Sequence, residues 1–505
     1  MGDALSRAAE SHGQKTALVM ADGRKRLTFA ELDAHADAVA ATLRQQDIAE
    51  GETIALLFDN DLSVVEWWWG ARRAGVWYVP VGTRLLPTEI QYILDDSAAS
   101  LLVASPDMED LAASAAGGHV PVFRARDLDP ELIFDSTAAT LCGREMIYSS
   151  GTTGRPKGIR RPLTGADDTS LPPLEHRMRA IFGYDENTVY LSASPLYHAT
   201  GRFLNRVLEA GGTVVVMPRF DPEEALAAIE RYKVTHSQWV PTMFRRMLSL
   251  PEDVRDRYDT SSMQAALHAA APCPLTVKRA MIDWWGPIVH EYYGGTENAG
   301  VTYISVEEWL ERPGSVGRSI AGAIHILDPD DLSRTRPPGE MGAIHFEGGV
   351  PFRYTLPDGG HADNATPQGY TGYGDIGHVD EDGYLYISDR RDDLILSGGV
   401  NVYPREVEAA LELHPGVSEV AVIGIPDADL GQIVCAIVVP HRPDESALVD
   451  TLGAFARERL SSIKIPRRIV LTHEMPRNET GKLLKRVLRE RYGQAALSDR
   501  KQDVR

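Results

Sequence analysis

The string YSSGTTGRPKG at residues 148–158 contains the residue types that bind a polyphosphate. Its three glycines can adopt backbone conformations that direct successive N–H groups at one point, which is how a loop cradles phosphate. It is not a Walker A loop, because Pro156 precedes the lysine and Gly158 follows it where that motif has Ser or Thr. The string predicts a nucleotide site formed by Ser149, Ser150, Gly151, Thr152, Thr153, Gly154 and Lys157.

This loop resembles the phosphate-binding signature of the adenylate-forming superfamily, which includes acyl-CoA synthetases, peptide-synthetase adenylation domains and beetle luciferases. Further motifs similar to those of the family follow in the expected order along nearly the whole chain. The resemblance implies an α/β fold: a large N-terminal body of mixed and parallel sheets with helices and a small β-rich subdomain, then a small mobile α+β C-terminal domain. It also implies a reaction in which ATP activates a carboxylic acid as an acyl-adenylate before the acyl group passes to coenzyme A.

The motif SPLYHATG is similar to the family segment in which a histidine or aromatic residue lies beside the carboxylate of the acid. The resemblance gives His198 a catalytic, substrate-gating role, although packing or capping would explain an isolated histidine equally well. By the same resemblance the acyl pocket is lined by His198, Trp239, Met243, Gly294, Gly295 and Ala299. The lining segments are small or apolar and contain no Lys or Arg to hold a second carboxylate. They favour a fatty, alicyclic or aromatic acid over acetate or an amino acid.

Two motifs resemble the contacts that the family makes with adenine and the phosphates. The motif HAAAP is similar to the small-residue turn against adenine, which assigns to ATP binding Ala270, Ala271 and Pro272. In YYGGTE, Tyr293 would stack on adenine, Thr296 would contact the α-phosphate and Glu297 would hold Mg²⁺. A hydroxyl and a carboxylate beside a polyphosphate are hard oxygen ligands that suit this cation.

The ribose and hinge motifs come next along the chain. Asp375 in YGDIG corresponds to the aspartate that accepts hydrogen bonds from the ribose hydroxyls, while Tyr373 stands where the family usually has Thr or Ser. In DRRDD, Arg390 would be the second ribose contact and Asp392 the hinge of the small domain. Such a string is ordinarily a charged turn, but this one lies where the composition of the chain changes.

The C-terminal part adds two candidates. Gly398 and Gly399 match positions that line the pantetheine tunnel of coenzyme A, where a side chain would block the thiol. Lys482 in NETGKL matches the catalytic lysine, whose cation can bridge the acid and the α-phosphate and offset charge that develops in transfer. Residues 460–505 hold twelve Lys or Arg against five Asp or Glu. A solvated helical tail and a surface that meets polyphosphate are both compatible with this excess.

Two other functions are compatible with part of these motifs. A stand-alone adenylation enzyme could load the phosphopantetheine arm of a carrier protein, although the SGG string and the lack of a carrier domain up to residue 505 favour free coenzyme A. A catalytically inactive paralogue could sense nucleotides or acyl groups, but it would not need to retain Lys157, Glu297, Asp375, Arg390 and Lys482. The expected partners are ATP, Mg²⁺, coenzyme A and a small carboxylic acid; a homodimer is compatible with the sequence.

Helical and strand patterns alternate along most of the chain, which favours α/β architecture with parallel sheets. Thr28 is a candidate N-cap, as is Asp221, which has Pro222 after it. The segments ETIALLF and TVVVMP indicate buried strands, and the triplet Trp67–Trp69 lies in an apolar helical window typical of a core.

From about Gly339 the pattern changes to short strands with glycine turns, and Asp382-Gly383 predicts a hairpin. Beyond Arg390 a smaller βαββαβ-like pattern follows. The sequence therefore predicts an N-terminal adenylate-forming domain over residues 1–391 and a C-terminal domain with the catalytic lysine over residues 392–505.

Composition excludes several classes of protein. The chain has 505 residues, 43% of them hydrophobic, which is enough for more than one domain with a buried core. Its net charge of −20 argues against nucleic-acid binding, because an acidic surface repels phosphate backbones. Three cysteines without metal-ligand spacing suit a reducing compartment. No signal-peptide pattern or apolar run of roughly 20 residues is present, so we expect a cytoplasmic protein without a membrane span.

Overall fold

The computed structural model describes most of the chain, and every structural statement below concerns the residues it describes. These are residues 3–134, 139–149, 157–165, 173–198, 201, 203–295, 299–349, 353–355, 361–363, 365–390, 393–427, 429–442, 448–477 and 483–493.

Helices occur throughout the described ranges. In chain order they are α1 (Ala4–His12), α2 (Phe29–Gln45), α3 (Ser63–Arg73), α4 (Pro87–Ser97), α5 (Glu109–Ala116), α6 (Pro173–Phe182), α7 (Phe203–Glu209), α8 (Pro222–Tyr232), α9 (Pro241–Leu248), α10 (Glu252–Arg255), α11 (Leu275–Trp285), α12 (Val306–Glu311), α13 (Pro404–Leu411), α14 (Leu448–Arg459) and α15 (Lys485–Gly493). Among them, no helix is both long and apolar enough to cross a membrane.

Strands alternate with these helices in the first half and dominate after residue 300. In chain order they are β1 (Thr16–Met20), β2 (Arg26–Thr28), β3 (Thr53–Leu57), β4 (Trp77–Val81), β5 (Ala99–Ala104), β6 (Val122–Arg124), β7 (Leu141–Cys142), β8 (Arg144–Glu145), β9 (Ile147–Ser149), β10 (Lys157–Ile159), β11 (Thr164–Gly165), β12 (Val189–Ser192), β13 (Thr213–Val216), β14 (His236–Trp239), β15 (Ala265–His268), β16 (Val289–Tyr293), β17 (Val301–Ile304), β18 (Ser315–Ala321), β19 (Ala323–Leu327), β20 (Gly342–Glu347), β21 (Arg353–Thr355), β22 (His361–Asp363), β23 (Thr371–Val379), β24 (Leu385–Arg390), β25 (Ile395–Ser397), β26 (Val400–Val402), β27 (Val417–Asp427), β28 (Gly431–Pro440) and β29 (Arg468–Leu471).

Contacts within the chain define two compact units, the first of which comprises Met1–Ala269, Arg279–Asn298 and Val350–Asn364. One of its sheets has the order β16-β15-β14-β12-β13-β1-β2, parallel except for the β1–β2 pair. A second, parallel sheet has the order β6-β5-β3-β4-β8. Parallel neighbours need crossover connections, which explains why helices alternate with strands in this part of the sequence.

Local signals place the helices of this unit. Thr28 caps α2 with a reciprocal capping box to Glu31, and Asp221 accepts from two backbone N–H groups at the start of α8, so both predicted N-caps are confirmed. The tryptophan triplet of α3 is also buried as predicted, with Trp67, Trp68 and Trp69 at most 2% exposed.

One arginine ties the first three helices together. The buried guanidinium of Arg73 in α3 pairs with Asp3 before α1 at 3.0 Å and, in α2, with Asp33 at 2.5 Å and Asp37 at 2.8 Å. Three carboxylates around one guanidinium compensate its burial, and removal of the arginine would leave them to repel one another.

The second unit comprises Ala270–Lys278, Ala299–Gly349 and Ala365–Arg505. An antiparallel sheet of order β19-β20-β23-β24-β18-β17 forms its first part. The predicted hairpin is present between β23 and β24, where Gly383 has the positive φ of +81° that its turn requires. A second sheet has the order β26-β25-β28-β27, with β29 parallel to β28.

Alternate residues of the long strand β27 face two different cores in this second sheet. Val420 and Val422 pack with residues of α13 and α14, whereas Ala421 and Ile423 pack with Leu488 of α15. Since side chains alternate across a strand, a continuous apolar run buries both faces when helices cover each side.

Candidate active site

A two-stranded hairpin in the first unit flanks the predicted phosphate loop in the chain. Strands β9 and β10 pair antiparallel, with Lys157 opposite Ser149, so the base of the loop is closed by backbone hydrogen bonds. The structure describes only the backbone of these two residues. The loop itself lies outside the described residues, including Ser150, Gly151, Thr152, Thr153 and Gly154.

Side chains anchor this hairpin at its base. The Tyr148 hydroxyl donates a hydrogen bond of 2.6 Å to Oδ2 of Asp96. Burial raises the pKa of Tyr148 far above its usual value, with Asp96 adding to the effect, so the hydroxyl stays protonated and remains a donor. On the partner strand a side chain at Gly158 would overlap Met146. The glycine after the predicted phosphate lysine is therefore also needed for packing.

His198 lies in a compact turn, partly buried, with the ring of Tyr197 4.5 Å from its own. Burial lowers the pKa of His198 to about 4, so its imidazole is neutral at neutral pH. A neutral imidazole at this position can donate its one N–H to a carboxylate but does not present a fixed positive charge to it.

Sequence reasoning missed the residue that holds this turn. Asn60 is buried, its amide nitrogen donates to the carbonyls of Ser194 and Met217 at 3.1 Å, and its Oδ1 accepts from Leu196 N–H at 2.8 Å. Three hydrogen bonds from one buried amide fix the backbone leading to His198. An asparagine in the loop between β3 and α3 carries no sequence signal for a partner so distant along the chain.

One predicted acid-binding residue of the first unit, Trp239, sits in an aromatic cluster. Trp239 is fully buried, with ring centroids 5.6 Å from Trp285 and 6.2 Å from Phe244. Helix α9 buries Met243, Phe244 and Met247 on one face, while Arg246 is exposed. The Arg246 side chain is thus directed away from the buried, apolar face of this helix.

The predicted adenine contacts lie at the ends of strands β15 and β16. Ala270, in the turn after β15, has a φ of +72°, a conformation that costs a non-glycine residue about 1–3 kcal/mol. Ala271 and Pro272 follow it. Tyr293 ends β16 partly buried, and Gly294 and Gly295 come next, whereas Thr296 and Glu297 lie outside the described residues. Strain of this kind concentrates at ligand sites, which supports a functional turn at Ala270.

The two predicted ribose contacts are brought together in the second unit. Asp375 of β23 and Arg390 of β24 are cross-strand partners, with 3.5 Å between Oδ1 of the aspartate and Nε of the arginine. The carboxylate is mostly buried and the guanidinium is about two-fifths exposed, at 8% and 39% of their side-chain surfaces. This pairing leaves the arginine accessible while the aspartate is held in place.

An AMP-binding enzyme family model matches residues 5–353, and a model of the AMP-binding enzyme C-terminal domain matches residues 406–482. The chain belongs to the AMP-binding enzyme family.

Individual proteins agree with this membership. The chain is 33% identical to a feruloyl-CoA synthase of an Amycolatopsis species over 482 residues, which covers 93% of this chain and 95% of that protein. It is 31% identical to a long-chain-fatty-acid–CoA ligase of Mycobacterium tuberculosis over 488 residues, or 92% and 93% of the two chains. The solved o-succinylbenzoate CoA synthetase of Bacillus subtilis, in complex with its acyl-adenylate intermediate, is similar with a TM-score of 0.80 and 28% identity, covering 97% of this chain and 98% of that one.

These similarities confirm the recognition of the adenylate-forming superfamily and the predicted α/β fold with a large sheet-and-helix body and a C-terminal domain. This AMP-binding enzyme is an AMP-forming acid–thiol ligase, as predicted.

The segment around the predicted hinge of the AMP-binding enzyme contains a buried ionic cluster that sequence reasoning also missed. Asp392 lies outside the described residues, but Asp389 accepts a 2.8 Å hydrogen bond from the backbone N–H of Arg405. The ammonium of Lys485 lies 2.9 Å from Glu408 and 4.0 Å from Asp389. These contacts join the end of β24 to α13 and α15.

Protonation in this cluster follows from the balance between burial and charge. Burial alone would raise the pKa of Glu408, but Lys485 and Arg405 outweigh it and hold that pKa below its usual value. Burial prevails at Asp389 and raises its pKa, although Lys485 opposes the rise. The sequence did carry one signal, because charged residues at positions 405 and 408 of α13 and at position 412, its C-cap, are spaced to share one helical face.

The two predicted tunnel glycines have a structural reason of their own. Ser397 pairs with Val400 in the β25–β26 hairpin, so Gly398 and Gly399 are its two central turn residues, with φ values of +55° and +78°. A two-residue turn with positive φ at both positions is of the type I′ class, which favours glycine. A side chain at Gly399 would meet no atom within 4 Å, so backbone conformation rather than packing selects glycine there.

Proposed function

We propose that this AMP-binding enzyme joins a hydrophobic carboxylic acid to coenzyme A in two steps. The carboxylate attacks the α-phosphorus of ATP, which forms acyl-AMP and releases pyrophosphate. The thiol of coenzyme A then attacks the acyl carbon, loses its proton and expels AMP, which leaves the acyl-CoA thioester. Positioning and electrostatic support account for most of the acceleration of such a phosphoryl-group attack.

The observation that carries the acid class is the apolar character of the first unit's wall. Trp239 and Phe244 are buried among aromatic side chains, Met243 is buried in α9, and His198 is neutral at neutral pH. Because these four described side chains carry no fixed positive charge, a second carboxylate beside them would lose its hydration without compensation. A monocarboxylic acid with an apolar chain or ring instead gains binding free energy, roughly 0.8 kcal/mol for each CH₂ group that it buries.

Supporting roles follow the motif assignments. We propose that the 149–157 loop and Thr296 bind the phosphates, and that Asp375 and Arg390 bind the ribose. Lys482 would offset the charge that develops during adenylation. Thr296 and Glu297 supply the hard oxygen donors that suit Mg²⁺, and the cation would neutralise phosphate charge there.

The C-terminal domain, which we place after residue 391, would turn about Asp392 between the two steps. In this scheme Lys482 serves the first step, and Gly399 serves the approach of the thiol in the second. Hinge closure of this kind lets one active site complete two half-reactions.

ATP–pyrophosphate exchange with a panel of acids tests the proposal. We expect octanoate and phenyl-substituted acids to give kcat/KM values well above that of acetate. A value for acetate equal to or above theirs would contradict the acid class. Thioester formation with coenzyme A and with a phosphopantetheinylated carrier protein, measured side by side, tests the thiol, and preference for the carrier would overturn the second step as proposed.

A further inference from the structure

A tyrosine hydroxyl clamps the backbone of a predicted acid-binding segment in the second unit. Tyr373 of β23 donates a hydrogen bond of 2.7 Å to the carbonyl of Gly300, and the same hydroxyl accepts one of 3.1 Å from Gly300 N–H. One side chain thus satisfies both backbone polar groups of Gly300, from 73 residues away in the sequence.

The clamped segment is also tightly packed. A side chain at Gly300 would overlap the ring of Phe346, and Ala299 is 1% exposed. A Cβ at Gly349 would lie 2.5 Å from the carbonyl oxygen of Ala299. The backbone of Ala299 and Gly300 therefore lies directly against β20 and its following turn, with little freedom to move inward.

The position of this segment does not follow from regular secondary structure. Strand β17 begins only at Val301, so Ala299 and Gly300 lack ladder hydrogen bonds of their own. Their position depends on the hydrogen bonds to the Tyr373 hydroxyl on one side and on contact with the Phe346 ring on the other. A Ser or Thr hydroxyl at position 373 sits one bond from Cβ and could not span the distance that the phenol ring covers.

We propose that Tyr373 is a positioning residue that sets acid specificity, because its hydroxyl fixes the Ala299–Gly300 wall against which the acyl group packs. The inference rests on the proposed function and on the motif resemblance that assigns Ala299 to the acyl pocket. Tyr373 touches none of the three substrates in this scheme and acts through the backbone that it holds.

The test compares Tyr373→Phe with Tyr384→Phe in the full-length enzyme. Each substitution removes only a hydroxyl, and the Tyr384 hydroxyl donates a 2.8 Å hydrogen bond to Glu308 in the same unit, away from the clamp. KM values for the best acid and for ATP are measured by exchange, together with the melting temperature. We expect Tyr373→Phe to raise the KM of the acid by about tenfold, which corresponds to about 1.4 kcal/mol, and the KM of ATP by less than about twofold.

Several results would overturn the proposal. An unchanged KM for the acid, an equal rise in both KM values, or the same acid effect in Tyr384→Phe would show that Tyr373 only stabilises the fold.

Phe346→Leu provides a second variant, because it keeps the hydroxyl but loosens the opposite side of the clamp. The proposal expects the same selective rise in the KM of the acid. Failure of the proposed function would appear in the wild-type enzyme as the absence of exchange with hydrophobic acids. The KM comparison would then be made with whichever acid supports exchange.

Discussion

The aromatic cluster around Trp239 and the ionic cluster around Glu408 are both largely buried but are held together by different forces. Trp239 is surrounded by aromatic rings, so this cluster stabilises the fold by removing apolar surface from water. Glu408 depends on Lys485 and Arg405, at 2.9 and 3.6 Å, to compensate its buried charge. The first cluster should tolerate any substitution that keeps its volume, whereas the second should tolerate only substitutions that keep its charge.

The difference suits the two tasks that the proposed mechanism gives to these regions. A wall that binds an acyl chain needs shape and no charge, and close packing provides this. The ionic cluster instead joins β24, the strand before the predicted hinge, with α13 and with α15, which begins three residues after Lys482. Charged groups can exchange protein partners for water when a domain moves, which packed aromatic rings cannot do without opening a cavity.

The largest expected loss of stability follows from a substitution in the ionic cluster around Glu408. Glu408→Gln keeps the shape of the side chain but leaves Lys485 without its nearest carboxylate, and breaking a buried pair costs about 3–5 kcal/mol. Glu406→Gln on the same helix is the matched control, because its 2.6 Å pair with Lys464 is largely exposed and is worth at most about 1 kcal/mol. Equilibrium unfolding in urea measures both variants. Equal losses would show that burial does not distinguish these pairs.

Lys482 lies outside the described residues, and Lys482→Ala tests whether this lysine serves only the first half-reaction. Loss of one preorganised charge contact typically lowers the rate by about 10²–10³, so ATP–pyrophosphate exchange should nearly disappear. Synthetic acyl-AMP with coenzyme A should still yield thioester at a near-normal rate, because the proposed mechanism withdraws Lys482 in that step. Lys464→Ala is the control for loss of a lysine from the same domain. Near-normal exchange in Lys482→Ala would identify Lys482 as a surface charge, and equal loss in both assays would indicate a folding defect.

A pH experiment examines the one titratable group that we assign to the acid wall. Because the folded-state pKa of His198 is about 4, against about 6.5 unfolded, the unfolded chain binds the extra proton between these values. The contribution of His198 to stability is therefore complete above pH 6.5 and falls by up to about 3 kcal/mol as the pH drops towards 4. His198→Asn should flatten this part of the stability profile. A wild-type profile already flat between pH 6.5 and 5 would contradict the burial of His198.

The smallest expected effect is on the apolar side. Met243→Leu conserves volume at a buried position of α9, next to Phe244 in the chain, and should cost less than about 1.5 kcal/mol of stability. Its loss of flexibility should nevertheless change the preference between acids of different length, measured as a ratio of kcat/KM values. A cost comparable with that of Glu408→Gln would remove the contrast between the two regions.

Much of the fold and the order of the motifs could be predicted because their causes are local. Thr28 and Asp221 cap helices within three residues of themselves, and the continuous apolar run of β27 marks a strand covered on both faces. The phosphate loop, the ribose pair and the lysine motif were recognisable as strings. Their proposed chemistry depends on residue types that stand close together in the chain.

Tertiary structure alone decided which distant groups hold these motifs in place. Asn60 reaches Ser194 across 134 positions, Tyr373 reaches Gly300 across 73, and Lys485 is brought to Glu408 only when α13 and α15 pack on opposite faces of one sheet. A single hydrogen bond or ion pair contributes too little to leave a periodic pattern in sequence, and its partner is set by the packing of whole elements. The sequence by itself therefore determined the reaction class, whereas the clamps that position the reacting groups emerged only from the folded chain.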